Sequence, residues 1–110
     1  MNHIVAQNEL PADILVVEDS ETQAGQIAHL LETAGYRVRV ARNGREGLAQ
    51  ARAVKPTLVV SDIAMPEMDG FAMCQEIKKD SGLKDVPVIL LTALTSLYDV
   101  IKGLDCGADN

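Results

Sequence analysis

A chain of 110 residues is one domain with room for a single core, and with 47% hydrophobic residues but one Phe, two Tyr and no Trp that core must be aliphatic. A formal net charge of -6 sets the surface against polyanions, which argues against direct nucleic-acid binding by this chain. No stretch approaches the ~20 apolar residues of a membrane span, and the N-terminus lacks a charged-then-apolar leader pattern, so the chain reads as cytoplasmic with no membrane span.

Residues 1–12 mix Asn, Gln, Glu and isolated apolar residues without a period and are expected to form a tail, with the domain running over 13–110. Ile14-Leu15-Val16-Val17 is a continuous apolar run, as expected of a strand buried on both faces, and it ends in Glu18-Asp19. Ser20 caps the helix that follows, with Gln23 in capping-box position and Ala24, Ile27, Leu31 and Ala34 at helical spacing, until Gly35 ends it. Tyr36 to Val40 alternates apolar and basic residues, the pattern of a half-exposed edge strand, and Arg37, Arg39, Arg42 and Arg45 are expected to form a solvated basic rim there. Asn43 caps a second helix to about Val54, with Leu48, Ala51 and Val54 facing the sheet, and Lys55-Pro56 stops it.

Leu58-Val59-Val60-Ser61 then runs straight into Asp62, followed by the Pro/Gly-bounded loop Ile63-Ala64-Met65-Pro66-Glu67-Met68-Asp69-Gly70. Asp69 caps a third helix with Phe71, Met73, Cys74 and Ile77 inward and with Lys78 and Lys79 near its end. Cys74 and Cys106 stand in no zinc or C-x-x-C spacing and read as buried free thiols. Pro87 opens the strand Val88-Ile89-Leu90-Leu91, which ends in Thr92, and Thr95 or Ser96 caps a fourth helix to Gly107. Four strands alternating with four helices argue a doubly wound α/β fold with a parallel sheet.

Ligands bind at the C-terminal edge of such a sheet. If the three apolar strands lie side by side, that edge gathers Glu18, Asp19 and Asp62 with the hydroxyl of Thr92. Carboxylates held together repel one another unless a hard divalent cation with oxygen ligands relieves the repulsion, and Mg²⁺, with Mn²⁺ as its substitute, fits that role beside a phosphate.

These strand ends, in this order, with the loop SDIAMPEMDG, resemble the receiver domain of two-component response regulators over about Asp13 to Asn110. The resemblance implies a flavodoxin-like receiver fold with strand order 2-1-3-4-5. It implies Asp62 as the phosphoacceptor, Glu18 and Asp19 with the Ala64 carbonyl as the metal site, and Thr92 as the switch hydroxyl. It implies Met65, Pro66, Asp69 and Gly70 as the loop behind the acceptor, and Ala64 and Leu94 as the positions that tune hydrolysis. It further implies a phosphorelay partner, a histidine kinase or a histidine phosphotransfer protein, and leaves open a dimer through the fourth-helix surface. The closing GADN resembles the segment just before the fifth strand, so that strand, its helix and the Lys-Pro pair that relatives carry about four residues further on do not occur within these 110 residues, and the expectation is of a chain cut short.

A Mg²⁺-dependent phosphohydrolase with an aspartate nucleophile is the rival from another class. It needs a second acid two residues after the nucleophile, where this chain has Ala64. A flavin carrier needs a hydroxyl- and glycine-rich loop after the first strand and aromatics to stack the ring, and Glu18-Asp19 occupies that place. The reading is therefore a phosphoacceptor switch more than an enzyme.

Overall fold

The computed structural model of the chain describes residues 12–91. The elements in order are β1 (Asp13–Val17), α1 (Glu21–Thr33), β2 (Arg37–Ala41), α2 (Gly44–Ala53), β3 (Leu58–Asp62), α3 (Gly70–Lys79) and β4 (Val88–Leu91). The expected tail, Thr92, Leu94, the fourth helix and Cys106 lie outside the described residues.

The strands form one parallel sheet in the order β2-β1-β3-β4. Because strand side chains alternate, the sheet has two apolar faces. Leu15, Val17 and Val59 pack with Leu48 and Ala51 of α2 and Met73 and Ile77 of α3. Ile14, Val16, Leu58, Val60 and Ile89 pack with Ile27 and Leu31 of α1. Burial on both faces is why the central strands read as unbroken Val/Ile/Leu runs.

β2 is the edge strand its alternating pattern suggests. Arg39, however, is no solvated rim residue. Its Nε and Nη2 donate to the two carboxylate oxygens of Asp13 at 3.2 and 2.9 Å, and its Nη1 and Nη2 reach the carbonyls of Gln50 and Val54 at 3.4 and 2.9 Å. One guanidinium thus ties β2 to β1 and to the C-terminus of α2, adding a second donor to the Gln50 carbonyl, which already accepts from the Val54 amide, and a donor to the Val54 carbonyl beyond the last turn. Gln50 covers the edge in turn, donating to the Val40 carbonyl at 3.0 Å.

Three inward assignments are corrected. Ala34 is the C-cap of α1 and exposed. Val54 has left helical geometry as the C-cap of α2 and is 57% exposed. Phe71 is 55% exposed, while Met73 and Ile77 are buried, and Cys74 is half-buried. A helix turns by about 100° per residue, so a stripe through Met73 and Ile77 carries Phe71 off the core.

Candidate functional site

The register of the strands builds the site. Val17 pairs with Ala41 on one side and Ser61 on the other, so the next residues along β1 and β3, Glu18 and Asp62, emerge side by side at the C-terminal edge. The Glu18 amide donates to the Ala41 carbonyl at 2.9 Å, which fixes where β1 ends. An oxygen of Glu18, one of Asp19 and one of Asp62 lie within 4.8 Å of one another. Three carboxylate oxygens this close form a donor set suited to one hard cation, and Mg²⁺, whose oxygen ligands sit ~2.0–2.1 Å from the ion, would draw them inward.

Glu18 is buried, Asp19 exposed and Asp62 half-buried. Burial is the main force pushing the Glu18 carboxyl above the ordinary range, helped by the charges of Asp62 and Asp19, against the Ser20 amide, which donates to its Oε2 at 3.1 Å. That bond also alters the expected capping box. The Ser20 hydroxyl accepts from the Gln23 amide at 3.2 Å as expected, but the Ser20 amide goes to Glu18, so one amide joins the helix cap to the acidic site.

Asp62 is held by its own loop, its Oδ1 accepting from the Ile63 amide at 2.9 Å. The Gly70 amide donates back to the Ile63 carbonyl at 2.8 Å, and a Cβ at Gly70 would fall against the Asp62 carbonyl oxygen, so glycine is required there for space. Asp69 caps α3 by accepting from the Ala72 amide at 2.8 Å. Between them Met68 donates to the Pro66 carbonyl at 2.8 Å around Glu67, whose φ of 68° makes a tight γ-turn in the left-handed region. Met65 and Met68 pack against the α2–α3 core cluster, and Ala64 is exposed two residues past Asp62.

A groove of about 320 Å³ opens beside Glu18 and Asp19, floored by Ala24, Gly25 and Val40 and flanked by Glu21 and Arg42. A larger one, about 540 Å³, runs along Phe71, Cys74, Gln75, Lys78 and Lys79 of α3 and includes none of the carboxylates. Only the first borders the acidic cluster, at Glu18 and Asp19, and Asp62 lines neither.

The family model for the response regulator receiver domain matches residues 14–110. The chain belongs to this family. The chain is 39% identical over 97 residues to the DNA-binding dual master transcriptional regulator RpaA of Synechocystis sp., covering 88% of this chain and 40% of that protein. It is 45% identical to the probable transcriptional regulator ycf27 of Pyropia yezoensis, covering 88% and 39%. The signal receiver domain of a signal transduction histidine kinase from Syntrophus aciditrophicus is 48% identical, with a TM-score of 0.73 over 89% of this chain and 74% of that one. This receiver thus spans about two fifths of the length of the curated relatives it matches. The sheet order is the one expected of the receiver fold for the four strands described.

Of the sequence-predicted site residues, the receiver fold brings Glu18, Asp19 and Asp62 together and sets Ala64, Met65, Pro66, Asp69 and Gly70 in the loop behind them. Asp62 pairs with Leu91 in the β3–β4 ladder, so Thr92 follows directly on the last described residue. Sequence reasoning missed Gly44, whose amide donates to the Met68 carbonyl at 2.9 Å. The available signal was a glycine in the first turn of a helix that it weakens, a choice that asks for a steric reason.

Proposed function

We propose that this receiver accepts a phosphoryl group on Asp62 from the phosphohistidine of a kinase or phosphotransfer protein in the cytoplasm and acts as a conformational switch. The convergence of the Glu18, Asp19 and Asp62 carboxylates at the C-terminal sheet edge carries this reading. With Oδ1 of Asp62 held by the Ile63 amide, Oδ2 is the attacking oxygen. A P–O bond forms to it as the P–N bond to the imidazole breaks, and the bonding pair returns to the imidazole nitrogen. Asp19, Asp62 and the Ala64 carbonyl would hold Mg²⁺, with Glu18 supporting them, and the ion when bound would supply charge neutralisation for the phosphoryl group and its acceptor.

The new dianion draws Thr92 inward and changes partner preference at the fourth-helix surface, a second copy of the domain included. With a net charge of -6 the receiver itself makes no contact with nucleic acid. Incubation with acetyl phosphate and Mg²⁺ should add one phosphoryl group by intact mass. Chelation of the metal, or Asp62→Asn, should abolish the increment, and labelling that survives either change refutes the reading.

A further inference from the structure

We infer that Gly44, on α2 and outside the acidic cluster, is a positioning residue for the metal-binding loop. The inference rests on the reading of Asp19, Asp62 and the Ala64 carbonyl as a Mg²⁺ site. Residues 63–69 link Asp62 to α3, and besides the Ile63 amide on Asp62 and the packing of Met65 and Met68, two glycine amides outside the loop hold its carbonyls. Gly70 holds the Ile63 carbonyl from one end. Gly44 holds the Met68 carbonyl from the other, and Ala64 lies between the pins.

The Gly44 pin depends on the absence of a side chain. A Cβ there would fall on the Met68 carbonyl oxygen and lie 2.9 Å from the Met68 Cγ. A rotamer change can clear the Cγ but not the carbonyl, so the backbone of the loop, or α2, has to move. Gly44 is not in the left-handed region, and among the described glycines only Gly35 is, so what it provides is close approach. The exposed Arg45–Glu67 pair at 3.8 Å is solvent-screened and does not replace this contact. A loop pushed at Met68 transmits the shift to Ala64 through a tight γ-turn with little slack.

Two other glycines supply controls. At Gly25 an added Cβ meets nothing within 4 Å. At Gly47 it meets the Val17 Cγ2 at 2.9 Å and the Met73 Sδ at 3.0 Å, which strains the core without touching the loop. Mg²⁺ titrations of the 110-residue chain, followed by amide chemical shifts, should give Gly44→Ala a Kd about tenfold weaker, the usual cost of losing a group that orients a ligand. Gly25→Ala and Gly47→Ala should stay within about twofold of the parent, although Gly47→Ala lowers Tm. In metal-free protein Gly44→Ala should shift the Ala64, Met65, Glu67 and Met68 amides, and the controls should not. Where Gly44→Ala is too unstable, the same measurement is made in the Gly25→Ala background. In the unaltered chain, Mg²⁺ should in return shift the Gly44 amide. An unchanged Kd in Gly44→Ala, or a Gly44 amide indifferent to saturating Mg²⁺, overturns the inference. No Mg²⁺ response in the parent overturns the site reading instead, while the metal-free shifts still decide whether Gly44 sets the loop.

Discussion

Among the three carboxylates of the site, Glu18 is the buried one. Burial first, then Asp62 and Asp19, raise its folded-state pKa, so the folded protein binds this proton more tightly than the unfolded chain does. Its stabilising contribution is therefore present at acid pH and is lost as pH rises through the raised value. Above that value the ionised carboxylate opposes folding unless a cation compensates it. Glu18→Gln should accordingly raise the Tm of metal-free protein by a few degrees at neutral pH, an advantage that fades on acidification, while weakening Mg²⁺ binding about tenfold. Calorimetry with and without Mg²⁺ separates the two effects. Ala64 and Leu94 bear on the opposite process, since neither side chain can hydrogen-bond a hydrolytic water. Ala64→Asn with Leu94→Glu should shorten the life of the phosphorylated form by ~10-fold to ~100-fold, read as decay of the phosphorylated mass. An unchanged decay removes water orientation at these positions from the account.

The helices show which parts of the fold are local. Ser20, Asn43 and Asp69 each cap the helix expected of them, with side-chain oxygens accepting from Gln23, Glu46 and Ala72 amides, because a cap needs only a short polar side chain three residues before its donor. Phe71, Met73, Cys74 and Ile77 cannot all share one face of a helix, and the core takes Met73 and Ile77, which leaves Phe71 outward. Val54 faces outward for a different reason: the chain has left helical geometry there, and Arg39 arrives from β2 to take its carbonyl with that of Gln50, a tertiary event with no local signal. A large-to-small change tests this packing. Ile77→Ala should cost about 2–5 kcal/mol in denaturant unfolding, and Phe71→Ala should stay within about 0.5 kcal/mol. Comparable losses at both positions would contradict the orientation of α3.

At the scale of the molecule, the acidic site was legible because parallel strands in register bring their C-terminal residues to one edge. Two apolar runs, one ending in Glu18-Asp19 and one in Asp62, therefore point to one place from the sequence alone. Gly44 was not legible, because its contact requires α2 to lie across a loop that follows it by some twenty residues. The same convergence links metal to stability. A cation that binds only the folded site stabilises it by about 2.7 kcal/mol at a hundredfold excess over Kd, and Asp62→Asn should lose most of that gain.

The claim that Asp62 accepts the phosphoryl group is tested most directly by borohydride reduction of the phosphorylated chain followed by peptide mapping. The reduction converts an aspartyl phosphate to homoserine at the position that carried it. The expected result is a single reduced residue at position 62, formed only with Mg²⁺ present. Reduction at Asp19, Asp69 or elsewhere, or phosphoryl incorporation with position 62 left intact, would contradict the account.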